Sequence, residues 1–199
     1  MLNHIQVIQK RIFDISLAIF GILLGWWIIL IAWIIASFET RSNGLFIQKR
    51  IGKDGKPFFV WKIKTMYLDK NMVSTVTTSN DQRITKSGKV FRKTKIDELP
   101  QLFNVLFGTM SFVGPRPDVP GFADCLEGEE RQVLMLLPGI TGPASIKYKD
   151  EEFILAKQDN PEKYNREIIW PDKVKINQDY MRTWSLKRDV WYIFKTIVG

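Results

Sequence analysis

Two adjacent carboxylates, Asp97 and Glu98, stand just ahead of a proline and an apolar run in Lys95-Ile96-Asp97-Glu98-Leu99-Pro100-Gln101-Leu102-Phe103-Asn104-Val105-Leu106. Proline is tolerated in the first helical turn and pushes the residue before it away from helical geometry, so the spacing predicts a helix starting near Leu99-Pro100. Both carboxylates then lie at its N-terminus. Unpaired backbone N–H groups and the positive end of the macrodipole favour an ionised carboxylate there, with a phosphate nearby. An ionised aspartate so placed can attack phosphorus. As a bare dipeptide the pair is more often a helix cap, so its surroundings must decide.

Composition narrows the chemistry. His4 is the only histidine and Cys125 the only cysteine, so no Ser-His-Asp or Cys-His arrangement and no histidine-rich metal site fits within one chain. Carboxylates must carry the reaction. The lone cysteine cannot form an internal disulfide and suits a reducing, cytosol-facing protein. Lys and Arg number 29 against 21 Asp and Glu, a formal charge of +8, which suits a polyanion: nucleic acid, anionic lipid or a diphosphate substrate. Seven Trp among long apolar runs favour the lipid interface. No zinc-finger spacing or RNA-recognition signature is present, so nucleic acid is not an expected partner.

The elements that position the dyad follow from patterning. Ile15 to Phe38 carries no charged residue and as a helix would measure about 36 Å, enough to cross a bilayer core. Lys10 and Arg11 precede it, and Arg41, Lys49 and Arg50 follow. Close to the segment the positive-inside rule is therefore neutral, and a re-entrant hairpin with both ends cytosolic satisfies both flanks. An ordinary spanning helix is the alternative, with Gly21-xxx-Gly25 as a small-residue packing motif. Asp14, at the hydrophobic boundary, is expected to pair with Arg11 or a later cation. Two β-rich runs, Leu45 to Gly52 and Pro57 to Lys64, flank Lys53-Asp54-Gly55-Lys56 and read as a hairpin. Asp69 to Lys89 is polar and reads as a mobile loop, and the stretch around Glu127 to Arg131 as an acidic helical piece. The tail offers helix starts at Pro161 and Pro171, and from Tyr180 to Lys195 mixes aromatics and cations as an interfacial amphipathic helix does.

Several blocks surround the dyad in fixed order. They are Lys10-Arg11-Ile12-Phe13-Asp14, Trp61-Lys62-Ile63-Lys64-Thr65-Met66, Gly108-Thr109-Met110-Ser111-Phe112-Val113-Gly114-Pro115-Arg116-Pro117 and Pro138-Gly139-Ile140-Thr141-Gly142. Together they resemble the bacterial polyprenyl-phosphate phosphoglycosyl transferases of the small monotopic class, over nearly the whole chain. The resemblance implies an α+β, mostly helical fold: a re-entrant membrane helix (residues 1–40) and a membrane-associated catalytic domain (residues 41–199), with a small β-hairpin and interfacial amphipathic helices around a cytosolic active site. It implies Asp97 as the nucleophile on the β-phosphate of a UDP-sugar, UMP as the leaving group, and polyprenyl phosphate as the acceptor, at the cytosolic face of a bacterial inner membrane. Mg²⁺ would be held by Asp97 and Glu98. Lys62, Arg92, Pro115, Arg116 and Pro117 would contact substrate, with Lys64 a further candidate beside Lys62.

Two positions depart from the family pattern. The helix break, commonly Ser-Pro, reads Trp26-Trp27, and the arginine usual before Pro138-Gly139 is Leu137; Arg131, Lys147 and Lys149 are the candidates to replace it. The division of labour between Asp97 and Glu98, the sugar and a homo-oligomeric state stay open. So do two competing readings: a membrane-bound glycosyltransferase that releases UDP, and a catalytically silent membrane scaffold.

Overall fold

Asn3 opens the first helix with a reciprocal cap, its side chain accepting the Gln6 N–H while the Gln6 side chain accepts the Asn3 N–H, which satisfies two orphan donors at once. In the computed structural model of the chain, which describes residues 2–67 and 81–199, this helix is α1 (His4–Thr40). It passes through Trp26-Trp27 without interruption and ends where Arg41 turns left-handed at φ 48°. At 37 residues it is about 55 Å long, and among the described residues it is the one helix long and apolar enough to cross a membrane.

One stripe of α1 faces the rest of the protein. Lys10, Asp14, Ala18, Gly25, Ala32 and Ala36 are buried along it, at the four- and seven-residue spacings that share a helix face. Small residues let other elements approach closely. Ala18 packs with Val60, Val105 and Met110, and Ala32 and Ala36 with Ile63 and Phe91. A methyl at Gly21 would already sit 3.1 Å from the Leu102 side chain. The outer faces expose Ile12, Phe20, Leu23, Leu24, Trp26, Trp27 and Phe38. Both ends are tied down. Lys10 pairs with Asp189 at 2.6 Å, and Glu39 accepts the Lys86 and Ser87 N–H groups and the Ser87 hydroxyl, so contact with the rest of the chain extends over about 40 Å of helix.

The hairpin forms as its turn chemistry dictates. β1 (Leu45–Ile51) and β2 (Pro57–Ile63) pair antiparallel from Leu45↔Ile63 to Ile51↔Pro57. Asp54 at φ 59° and Gly55 at φ 75° make the reversal. After the hairpin comes α2 (Lys86–Thr94), capped by Thr85. The expected loop over Asp69–Lys89 therefore ends earlier: residues 69–80 lie outside the described residues, and Lys86 onward is helix because Thr85 and Glu39 satisfy its first N–H groups.

α3 (Gln101–Leu106) leads to a second, parallel sheet of two strands, β3 (Ser111–Val113) and β4 (Gly139–Thr141), in register Ser111↔Gly139 and Val113↔Thr141. The two backbones meet so closely that a methyl on Gly139 would lie 2.2 Å from the Gly114 nitrogen. Between the strands, Glu130–Met135 winds as a 3-10 helix and the chain then returns to β4.

The C-terminal part is helical: α4 (Pro143–Lys147), α5 (Glu151–Leu155), α6 (Pro161–Tyr164), α7 (Trp170–Arg182) and α8 (Leu186–Val198). Pro161 and Pro171 both fall in the first turn of a helix, α6 and α7, as expected. A π turn at Asn165–Ile169 carries α6 directly into α7, and such a wider turn tolerates the missing proline donor. α8 starts at the Ser185 cap and is amphipathic, burying Asp189 and Tyr192 while exposing Val190, Trp191, Phe194 and Ile197.

Candidate active site

The dyad sits at a junction of elements. α2 ends at Lys95, left-handed at φ 60°, and Ile96–Glu98 forms a 3-10 turn. Helical geometry thus begins three residues earlier than the proline rule predicted. Leu99, at φ −55° and ψ −35°, is itself helical and leads through Pro100 into α3. The carboxylates lie within this turn, ahead of α3, because the left-handed Lys95 redirects the chain before Pro100 can. At the far end of α3, Arg11 donates to the carbonyls of Val105 and Leu106 at 2.6 and 2.8 Å, placing a cation where a helix exposes unpaired acceptors. Asn104 fastens α3 to β2, accepting the Trp61 N–H and donating to the Phe59 carbonyl.

That fastening delivers Lys62. Its Nζ lies 2.9 Å from Glu98 Oε1. Burial works to raise the Glu98 carboxyl, but the charges of Lys62 and Arg116, with the Lys62 hydrogen bond, overcome it and hold the group at about 2. Asp97 goes the opposite way. Burial and the neighbouring Glu98 charge push its carboxyl up, against Lys62, Lys95 and Arg92. Its Oδ1 is buried with no hydrogen-bond partner. Two adjacent carboxylates are thereby differentiated, one paired and held ionised, the other desolvated with a free oxygen.

A cavity of about 570 Å³ adjoins the dyad, its walls including Lys95, Glu98, Arg116, Asp118, Ser145, Lys173 and Asn177. This volume is of the size that holds a nucleotide-sized ligand. A recess of about 20 Å³ on the other side shares Glu98 and Arg116 and adds Arg50, Lys62 and Pro117; it has room for about one water. Glu98 forms part of both walls, whereas Asp97 lines neither space.

Arg116 reaches both spaces because the C-terminal ends of β3 and β4 lie side by side. A methyl on Gly114 would sit 2.3 Å from the Leu137 carbonyl oxygen, and Gly139 N–H donates to the Pro115 carbonyl at 2.8 Å. Glycine at position 114 is what allows this approach. Pro115 therefore holds the strand junction, while Pro117 lines the recess and its carbonyl accepts from Arg50.

The remaining expected residues separate. Arg92 donates to Thr65 Oγ1 at 3.2 Å and acts on Asp97 through its charge, outside the cavity lining. Lys64 is turned away from the site, with its Nζ donating to Ser42. Asp14 pairs with neither Arg11 nor a later cation; it accepts the Phe112 N–H at 3.0 Å, and the cation of that helix face, Lys10, goes to Asp189 instead. Of the three candidates for the missing arginine, Arg131 binds the Asp124 and Leu126 carbonyls and Lys147 pairs with Asp172. Only Lys149 lines the cavity. Sequence reasoning missed Asp118, Ser145, Lys173 and Asn177. The one available signal was the i, i+3, i+7 recurrence of Trp170, Lys173 and Asn177 on a single face of α7.

The carboxylates offer a divalent cation few ligands. Among the described residues no group of three or more His, Cys, Asp or Glu gathers. The free Asp97 oxygen and Glu98 nevertheless fit Mg²⁺, which typically takes one or two carboxylates and completes its shell with phosphate and water.

A sequence model of the bacterial sugar transferases matches residues 5–199, and the chain belongs to that family. It is 36% identical over 203 residues to the UDP-glucose:undecaprenyl-phosphate glucose-1-phosphate transferase of Klebsiella pneumoniae, covering 98% of this chain and 41% of that protein. It is 34% identical to the protein of the same description in Escherichia coli (strain K12), with coverage of 98% and 41%. It is 33% identical to a UDP-N-acetylgalactosamine-undecaprenyl-phosphate N-acetylgalactosaminephosphotransferase of Aeromonas hydrophila, with coverage of 98% and 44%. The chain thus spans about two fifths of the length of these relatives.

Proposed function

We propose that this protein transfers a sugar-1-phosphate from a UDP-sugar to polyprenyl (undecaprenyl) phosphate, releasing UMP and starting assembly of a surface glycan. The buried, unpartnered Oδ1 of Asp97, set among Lys62, Lys95 and Arg92, carries this reading. An Asp97 oxygen attacks the β-phosphorus, the bond from that phosphorus to the bridging oxygen breaks, and UMP leaves with the bridging oxygen. An oxygen of polyprenyl phosphate then attacks the same phosphorus and frees Asp97. Covalent catalysis divides a transfer between two bulky anions into two steps. Asp97 adjoins Glu98 and Lys95, which line the cavity, so the attack brings its side chain to the phosphate held there. Arg116 and Lys95 hold the diphosphate, and Lys62 keeps Glu98 ionised. When bound, Mg²⁺, held by Asp97 and Glu98, supplies electrostatic neutralisation of the phosphates.

The membrane seat fits this chemistry. The apolar outer faces of α1 rest in lipid while both ends stay on the cytosolic face, so residues 1–40 anchor and residues 41–199 catalyse. In a re-entrant arrangement the two ends return through a break. Here the unbroken α1 keeps both ends on the domain by lying along it.

The test combines purified protein, Mg²⁺, polyprenyl phosphate and a panel of UDP-sugars, with the released nucleotide identified. UMP release that Asp97→Asn abolishes is expected, together with acceptor-independent exchange of labelled UMP into UDP-sugar, the mark of a covalent intermediate. UDP in place of UMP, or full turnover in Asp97→Asn, overturns the mechanism.

A further inference from the structure

Two residues that line the large cavity each carry a buried polar atom without a partner. Asn177 is 7% exposed, and its Oδ1 lies buried without a hydrogen bond. Ser145 Oγ is buried and equally unpartnered. Both residues line the cavity that Glu98 and Arg116 also line. They arrive from different directions. Ser145 lies on α4, which begins just after β4, where a methyl on Gly142 would sit 2.3 Å from the Gly114 carbonyl oxygen; this close contact fixes the start of α4 against the strand that carries Arg116. Asn177 lies on α7, one turn beyond Lys173, whose Nζ is itself bound by Glu151 at 2.7 Å.

A buried amide oxygen without a donor costs stability unless a ligand or water supplies one. The fold retains two such atoms on adjoining helices in one cavity, on a wall separate from the basic recess. That recess, at about 20 Å³, takes no organic group, so with the phosphates at Arg116 and Lys95 the rest of a nucleotide-sugar must occupy the large cavity. In the proposed reaction the sugar-phosphate stays bound after UMP leaves. Besides the covalent bond to Asp97, contacts that last through both steps therefore fall on the sugar-phosphate and not on uridine.

We infer that Asn177 and Ser145 read a hydrogen-bond donor on the transferred sugar, a ring hydroxyl or an acetamido N–H, and so set which UDP-sugar is used. This rests on the phosphosugar-transfer reading above. A site built to accept a particular donor discriminates against analogues that lack it, because its own polar atoms are then left unpaired.

The test uses the full chain carrying Asn177→Leu or Ser145→Ala, with UDP-glucose, UDP-galactose and their N-acetylated counterparts. It measures kcat/KM for UMP release, equilibrium binding of each UDP-sugar, inhibition by UMP, and Tm without ligand. The expected result for Asn177→Leu is a loss of about tenfold on the preferred sugar, the worth of one neutral hydrogen bond. Preference among the sugars should narrow, UMP inhibition should be unchanged, and the unliganded Tm should be equal or higher, since an unpaired polar group has been removed. An equal loss on all sugars with weakened UMP inhibition would assign the two residues to uridine and overturn the inference. So would an unchanged preference in a folded variant. If Asn177→Leu does not fold, Ser145→Ala carries the same comparison. If the wild-type protein binds UDP-sugars but releases no UMP, the reaction fails while sugar preference is still read from binding.

Discussion

Replacing Lys62 with methionine keeps most of the stem and removes the charge beside Glu98, and the structure sets the size of the effect. Lys62 Nζ lies 2.9 Å from Glu98 Oε1, with the two side chains only 24% and 16% exposed, so solvent screens the pair weakly. A carboxyl held at about 2 instead of 4.5 corresponds to about 3 kcal/mol of stability at neutral pH. Lys62 is the largest of the charges that lower it, opposing burial with help from Arg116 and Lys95. Losing it should therefore cost roughly 2 kcal/mol at pH 7. The pH window follows from the direction. Because the folded carboxyl titrates below the unfolded one, its stabilisation is fully present above pH 4.5 and disappears as pH falls through about 2. Thermal unfolding of wild type and Lys62→Met between pH 7 and pH 3 should show a wide Tm gap at neutral pH that narrows steadily below 4.5. A gap of constant width would refute the electrostatic account and leave packing of the lysine stem as the cause.

Other consequences can be checked with similar means. Lys10→Met and Asp189→Leu should each cost about 3 kcal/mol or more in unfolding experiments, because each strands a buried partner; the double variant should cost less than the sum of the two, and strict additivity would argue against coupling. Asp189 also accepts the Tyr180 hydroxyl and the Trp184 N–H, so its single variant should be the worse of the two. Burial raises Asp118 from 3.8 to about 6, against Lys173, Arg116 and Arg50, so its ionised form opposes folding and the penalty builds as pH rises from about 4 and is complete above 6. Asp118→Asn should accordingly raise Tm at pH 7.5, by a difference worth about 3 kcal/mol, and leave it unchanged near pH 4; equal shifts at both pH values would contradict this.

Local patterning placed a great deal of this protein. The charge-free run of Ile15 to Phe38 could only be a long apolar helix, the Asp54-Gly55 turn closed the hairpin, and the shortage of histidine and cysteine left the chemistry to carboxylates. Those features depend on neighbours in sequence, whose spacing is visible in one dimension. Contacts distant in sequence were not legible. The left-handed Lys95 overrode the proline rule at Leu99, since the end of α2 sets the chain direction before Pro100 acts. The parallel pairing of β3 with β4 joins Ser111 to Gly139 across a long connection, and three-residue strands carry too little periodicity to announce themselves. Asp14 and Lys64 took partners that no spacing rule selects. Likewise Asn177, an ordinary amide in a polar helix by sequence, acquires a role only because tertiary packing buries it, unpaired, in the wall of the same cavity as Glu98 and Arg116. Burial is a property of the assembled chain, and so is the Lys62 contact that separates a paired Glu98 from a free Asp97 when both are buried.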